Sequence, residues 1–257
     1  MRVLAVGDVV GKNGTDFLKL NLGRIKQEYK IDMAIVNGEN SAEGNGILPD
    51  SARGIFSAGA NIITTGNHAF RRKEIFSFFN ENTRIIRPYN FPSKETPGRG
   101  FCTIDVNNIK VCVINLMGSI YLENLDNPFK CVDEIIKMNK DCLIKIIDFH
   151  AEATAEKLAL GYYVDGRVSA VFGTHTHVQT SDEQIFSRGT GYITDVGMTG
   201  PINSVLGVKK ELSIRRIKDK LPVRFQNADG PCKMESVIFD INEKSGKTVD
   251  VIRLRTS

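Results

Sequence analysis

Short apolar, β-branched runs recur along the first 200 residues, and most of them stop at Gly, Asn, Asp or His. Residues 3–6 stop at Gly7-Asp8, residues 33–36 at Asn37-Gly38-Glu39-Asn40, and residues 62–65 at Gly66-Asn67-His68. Residues 143–147 stop at Asp148-Phe149-His150, residues 169–172 at Gly173-Thr174-His175-Thr176-His177, and residues 192–194 at Asp195-Val196-Gly197. Runs of this kind predict buried strands. Between them lie stretches with helical spacing. Residues 16–29 carry Phe17, Leu20, Ile25 and Tyr29 near a 3.6-residue period, residues 49–57 and 73–80 follow, and Thr154 is the expected N-cap of a helix ending near Tyr163.

Two stretches break the alternation. Residues 100–116 predict a hairpin turning at Asn107-Asn108 with positive φ, and residues 236–241 and 248–253 predict a second one around Glu243-Lys244-Ser245-Gly246. Antiparallel strands mixed into a strand–helix alternation predict an α/β fold of two mixed sheets packed together with helices outside. One domain is expected. The Pro- and Gly-rich residues 87–100 read as a long loop or the edge of a small, cap-like subdomain.

Composition narrows the classes. The chain has 257 residues, 41% hydrophobic and 25% charged, which excludes disordered, collagenous and coiled-coil chains. Net charge is +4, too mild for a nucleic-acid footprint and compatible with an anionic small molecule. No apolar run approaches the about 18 residues of a membrane helix, and Asp8 comes too early for a signal-peptide core. The cysteines are Cys102, Cys112, Cys131, Cys142 and Cys232, an odd number with no C-x-x-C pair, as in a cytoplasmic protein with reduced, packed thiols.

In α/β sheets, ligands bind beyond the carboxyl ends of the strands. Those positions hold Asp8, Glu39, Asn40, Asn67, His68, His150, His175 and His177, including all four histidines of the chain. One histidine is ordinarily a surface or core residue; four of four beside carboxylates at strand ends is a different pattern. Imidazole, carboxylate and amide oxygen form a mixed N/O set suited to Mn, Fe, Zn, Co or Ni without thiolate. Seven or eight ligands exceed the demand of one metal and suit two that share a carboxylate and clamp a phosphoryl group. In extended backbone the two rings of His175-Thr176-His177 point to the same side, so that neighbouring metals can each take one. Asn67 can ligate through its amide oxygen while His68, one residue on, faces elsewhere and is free for proton transfer. Gly7, Gly11 and Gly14 follow a strand and precede a helix, but the spacing is not G-x-G-x-x-G and Asp8 stands where a pyrophosphate would approach, which argues against a dinucleotide loop.

Longer strings carry a resemblance. Gly7-Asp-Val-Val-Gly11, Asn37-Gly-Glu-Asn40, Gly66-Asn-His68, Asp148-Phe-His-Ala-Glu-Ala-Thr154, Gly173-Thr-His-Thr-His-Val-Gln-Thr180 and Thr194-Asp-Val-Gly-Met-Thr-Gly-Pro201 are similar to calcineurin-like metallophosphoesterases, and most closely to their bacterial YmdB-type subfamily. The resemblance runs over nearly the whole chain. It implies a four-layered α/β sandwich, a dinuclear phosphodiesterase acting on cyclic nucleotides (2′,3′ or 3′,5′), iron or manganese as the two metals, and a homo-oligomer, up to a tetramer. It implies one metal held by Asp8, Glu39, Asn40 and His177, a second held by Glu39, Asn67, His150 and His175, Glu39 as the bridge, and His68 as the acid–base residue.

The chain departs from the wider superfamily at Val10, where D-x-H is usual, and at Glu39, where aspartate usually bridges; both fit the subfamily. After His68 come Ala69, Phe70 and Arg71, so this segment lacks the acid that could orient His68. Arg71 reads as a solvated residue ahead of a phosphate ligand. Asp195 and Thr199 line the substrate pocket or shape a turn. Asp148 and Glu152 orient His150 or are charges at a helix start. Two readings of another class remain: a regulatory protein that binds a phosphate ligand on the same fold, and an RNA binder using the basic run from Lys209 to Lys220. That run lacks aromatics and reads first as the solvated face of a helix.

Overall fold

A computed structural model describes residues 1–93 and 95–257. In chain order the elements are β1 (Arg2–Val6), β2 (Asp8–Val9), α1 (Gly11–Glu28), β3 (Met33–Asn37), α2 (Pro49–Ser57), β4 (Ile62–Thr64), α3 (Ile75–Glu81), β5 (Phe101–Val106) and β6 (Ile109–Met117). They continue with α4 (Pro128–Met138), β7 (Ile144–His150), α5 (Thr154–Tyr163), β8 (Ala170–Thr174), β9 (Gln184–Ile185), β10 (Gly191–Ile193), β11 (Met198–Pro201), α6 (Lys210–Asp219), β12 (Cys232–Ile241) and β13 (Thr248–Thr256).

The strands form two mixed sheets. One runs β2-β11-β12-β1-β3-β4 with β13 also paired to β12; the other runs β5-β6-β7-β8-β10-β9. Alternate residues of each strand face different layers. Val3, Ala5, Met33, Ile35 and Phe239 of the first sheet meet Val113, Ile146 and Phe172 of the second in an apolar core between the sheets. Leu4, Val6, Ala34 and Val36 face Leu18, Leu22, Ile55 and Phe79 of the three helices on one outer side. Ile114, Ile147, Phe149 and Val171 face Val132, Ile135 and Leu160 of α4 and α5 on the other. The result is the expected four-layered sandwich, and burial of both strand faces explains why the strands read as continuous apolar runs.

Both expected hairpins form. Asn107 and Asn108 have φ of 51° and 64° between β5 and β6, and Gly246 has φ of 70° between β12 and β13. Three local readings shift. The N-cap of α5 is Ala153, with Thr154 the first helical residue. The segment 198–201, absent from the strands expected above, pairs as β11 with both β2 and β12. The first helix starts at Gly11, well before Asp16. Residues 87–100 carry no helix or strand among those described; Lys94 of that stretch lies outside the described residues. The basic run forms α6, and its apolar Ile214 and Ile217 are exposed along with its charges. All five cysteines are buried free thiols. No helix among the described residues is long and apolar enough to cross a membrane.

The inter-sheet core makes a direct stability statement. Phe172 and Phe239 are fully buried, one from each sheet, with ring centroids 6.5 Å apart. Phe239→Ala should lower unfolding free energy by about 3–5 kcal/mol, as cavity formation in a core does. Urea denaturation measures it; a loss under about 1 kcal/mol would mean that the sheets do not depend on this contact.

Candidate active site and metal centre

The carboxyl ends of β1, β3, β4, β7 and β8 open toward one edge of the sandwich, and five short loops carry their polar residues into one cluster. Asp8 and Glu39 are fully buried, as is His150, and Asn40 nearly so. Five of the six strand-end segments picked from sequence converge here. The sixth, at Asp195, is placed behind the cluster.

One half of the cluster gathers around Glu39, His150 and His175, whose ligand atoms all lie within 4.8 Å of one another. His150 Nε2 is 3.2 Å from Glu39 Oε1, 2.9 Å from Asn67 Oδ1 and 3.1 Å from His175 Nδ1. The close approach of Asn67 depends on its neighbour: a Cβ at Gly66 would lie 2.2 Å from His150 Cδ2. The other half gathers around Asp8 and His177, with Nε2 to Oδ1 at 3.5 Å. Asn40 Nδ2 sits 3.2 Å from Glu39 Oε1, 3.5 Å from Asp8 Oδ1 and 3.3 Å from His177 Nε2. As a ligand Asn40 would present Oδ1 there instead, an exchange of two atoms of nearly equal size. Glu39 lies between the two halves.

The extended backbone expected for His175-Thr176-His177 is not what the chain adopts. His175 has φ of 102° and His177 φ of 61°, so the segment bends in left-handed conformation just after β8. The rings therefore diverge. His175 reaches His150 and, through Nε2, Glu152 at 3.0 Å, while His177 reaches Asp8 and, through Nδ1, the carbonyl of Leu206 at 3.1 Å. Strain of this kind persists where surrounding structure enforces it. Here Asp8 Oδ2 accepts the His175 backbone N–H at 3.2 Å. Behind the bend, Asp195 Oδ2 accepts the Thr176 N–H at 3.1 Å and pairs with the buried Lys157 ammonium at 2.7 Å. Asp195 thus shapes the loop. Thr199 sits buried in β11.

A residue that sequence reading leaves without a role emerges at Thr174. In the parallel pairing of β7 with β8, His150 lies opposite Thr174. Thr174 Oγ1 donates to Asp148 Oδ1 at 2.7 Å and is 2.9 Å from His150 Nδ1. With its own proton given to Asp148, the hydroxyl accepts from Nδ1–H, which leaves Nε2 to face the cluster. Asp148 therefore acts on His150 through Thr174, and Glu152 contacts His175 rather than His150. The string Gly173-Thr-His is visible in the sequence; the role of Thr174 requires the strand register. Asn37 Nδ2 ties this relay to the other sheet, donating to Asp148 Oδ2 at 3.3 Å.

His68 is held by its surroundings. Its backbone N–H donates to Glu39 Oε2 at 3.0 Å, and Nδ1 is 2.9 Å from Asn40 Oδ1 and 3.4 Å from Glu39 Oε1. The segment after His68 brings no acid, as expected, yet a carboxylate reaches the ring across 29 residues. Arg71 is exposed and borders a hollow of about 250 Å³ together with Asn67, His68, Phe91 and Glu123.

Burial would raise the carboxyls of Asp8 and Glu39, but the imidazoles reverse this. His177 holds Asp8 below its ordinary value, and His150 with His68 hold Glu39 well below. Burial pulls His150 down, and Glu39 outweighs it, lifting the imidazole to about 9. Burial and the charge of His150 push His175 down to about 4. Burial lifts Asp148 to about 7 against the opposing pull of His150. Two buried carboxylates thus draw positive charge into the cluster. The donor set is nitrogen and oxygen without sulfur, which suits manganese, iron or zinc, and the residues present fit such ions.

A cavity of about 330 Å³ stands over the cluster, bordered by Glu39, Asn40, His68, His175 and His177 on one side and Asn45, Leu206 and Phe225 on the other. The family model described as YmdB-like protein matches residues 4–254. The chain is 47% identical over 255 residues to a 2′,3′-cyclic-nucleotide 2′-phosphodiesterase of Bacillus subtilis (strain 168), covering 99% of this chain and 96% of that one. The crystal structure of a hypothetical protein from Thermus thermophilus matches with a TM-score of 0.94 at 37% identity, covering 100% of this chain and 99% of that one. A phosphatase from Mycoplasma pneumoniae matches with a TM-score of 0.94 at 35% identity, covering 100% and 93%.

The Thr174 relay generates a prediction that leaves every proposed ligand in place. Thr174→Val keeps the shape and removes the hydroxyl. It should weaken metal retention about 10- to 100-fold, the usual effect of losing a group that orients a ligating histidine, with the fold intact by circular dichroism. Elemental analysis after graded chelation reads it; unchanged retention would remove Thr174 from the account.

Proposed function

The chain belongs to the YmdB-like protein family, and on that premise we propose that it is a metal-dependent phosphodiesterase that opens cyclic nucleotides, those with a 2′,3′-cyclic phosphate foremost. The observation that carries this reading is the sharing of one buried carboxylate, Glu39, between two groups of N/O donors beneath an open cavity. Asp8, Glu39, Asn40 and His177 would hold one metal, and Glu39, Asn67, His150 and His175 the other. The 2′,3′ preference is supported by the activity named for the Bacillus subtilis relative.

When bound, two such metals supply Lewis acidity toward phosphoryl oxygens and lower the pKa of the attacking water. Two carboxylates neutralise only half the charge of two divalent ions. Held there, such ions would leave the site a positive excess able to draw a phosphodiester monoanion from water. The protein's own part is placement and proton transfer. Glu39 and Asn40 fix His68 from two sides, through its backbone N–H and its Nδ1. With the Asn40 amide turned to offer Oδ1 to a metal, its Nδ2 faces His68 Nδ1 and donates to it, so Nε2 is the ring atom left to move a proton, and His68 borders the cavity where the leaving oxygen departs. A regulatory role for ligand binding on this fold finds no separate observation here.

His68→Ala tests the assignment, because it separates chemistry from metal binding. Metal content should stay at the parent level. Turnover of a 2′,3′-cyclic nucleotide, whose alkoxide needs a proton, should fall by about 10²–10⁴-fold. Turnover of a nitrophenyl phosphodiester, whose phenolate leaves unaided, should fall far less. Equal losses on the two substrates would show that His68 positions the phosphate; loss of metal would make it a ligand.

A further inference from the structure

A 2′,3′-cyclic nucleotide has both of those ribose oxygens tied into the ring. O5′ is the remaining ribose oxygen from which a nucleic-acid strand can continue. A site built for free mononucleotides has no use for space and charge beyond the nucleoside. This site has both. Past Gly44, Asn45, Phe225 and Asn227, which border the cavity over the metal cluster, a second cavity of about 660 Å³ opens. It is twice the volume of the first and shares that wall with it.

Its remaining walls carry three cationic side chains, Arg72, Lys209 and Arg224, and two carboxylates, Glu43 and Asp229. The Arg72 guanidinium is fixed at the rim, donating from Nε to the carbonyl of Asn45 at 3.2 Å. Lys209 Nζ is lightly held, by Gln226 Oε1 at 3.2 Å, and Arg224 is exposed. Asp229 is engaged by the Asn13 amide at 3.3 Å. Between the two chambers stands Phe225, a phenyl ring left 45% exposed. An exposed ring beside cationic side chains is what a single strand uses: every base offers a π-face for stacking, and phosphates take the cations.

We propose that the second cavity is a subsite for the phosphate on the 5′ side of the nucleotide being opened, with Phe225 stacking on a base, so that the substrate class is oligoribonucleotide ends bearing a 2′,3′-cyclic phosphate. The inference rests on the phosphodiesterase reading above and names its substrate. The reaction is the same hydrolysis: a water oxygen bonds to phosphorus, the P–O2′ bond breaks, O2′ takes up a proton, and the strand is left with a 3′-phosphate. A 3′,5′-cyclic nucleotide, with O5′ tied back, cannot reach the second chamber.

The test compares three substrates on the metal-loaded full chain: adenosine 2′,3′-cyclic phosphate, the same compound with a 5′-phosphate, and a diadenosine dinucleotide ending in a 2′,3′-cyclic phosphate. The dinucleotide should exceed the first compound in kcat/KM by about tenfold or more, the scale of one stacked base and its phosphate. The double variant Lys209→Gln with Arg224→Gln, the first half-buried and the second exposed, should cut that ratio severalfold, and Phe225→Ala should cut it too. A ratio near one in the parent, or an undiminished ratio in the double variant, overturns the proposal. A 5′-phosphorylated mononucleotide that gains as much as the dinucleotide overturns the strand and leaves a site for phosphate alone. If none of the three is hydrolysed, the phosphodiesterase reading fails instead. The subsite is then judged by equilibrium binding of the same dinucleotide and mononucleotide, where equal affinities overturn it.

Discussion

The architecture turns on a carboxylate buried at the seam of two sheets. Glu39 has no exposure, and a charged carboxylate in such a place is costly unless compensated. Its compensation comes from different parts of the chain: the backbone N–H of His68 after β4, the His150 imidazole at the end of β7, and the Asn40 amide beside it. Asp8, equally buried, is met by His177 and by the backbone of His175. The two sheets therefore meet at their edge through opposite charge, where elsewhere they meet through apolar packing. Such a cluster draws cations, and the pull of the carboxylates on His150 and His177 is the same electrostatics that would bind a metal.

A second tier keeps these groups in place. The Asp148–Thr174–His150 relay sets which imidazole nitrogen faces the cluster. The Lys157–Asp195 ion pair, itself buried, anchors the bend that splits His175 from His177. The same economy shows in the glycines. A Cβ at Gly7 would lie 2.2 Å from the carbonyl oxygen of Gly197, so the turn that delivers Asp8 closes directly onto the loop before β11. The glycine pattern at the first strand end is thus explained by close backbone approach, with no phosphate loop needed.

Much of this is legible in residue order. Apolar runs ending in Asp, Asn and His mark strands and their carboxyl ends together, because strands buried on both faces must be apolar throughout and must change character where the sheet stops. The hairpins at Asn107-Asn108 and near Gly246 follow from local turn chemistry. What stays hidden depends on distance in sequence. The role of Thr174 rests on its register opposite His150, and the carboxylate beside His68 arrives from the end of β3. The left-handed backbone at His175 and His177 is imposed by Asp8 and Asp195, far along the chain. The strand β11 is four residues with Gly200 and Pro201, a poor local signal rescued by pairing on both edges. Helix α4 is absent from the helices expected above although its local signal is plain: Asn127 caps it, Pro128 opens it, and Cys131, Val132 and Ile135 form its buried face.

If Glu39 bridges, one carboxylate serves two metals. Elemental analysis of the parent and of Glu39→Ala after loading with manganese or iron tests it most directly. About two metals per chain are expected in the parent and loss from both positions in the variant, with Asp8→Ala and His150→Ala each losing mainly one. A Glu39→Ala protein that remains folded and fully loaded, or a parent that holds a single metal, would contradict it.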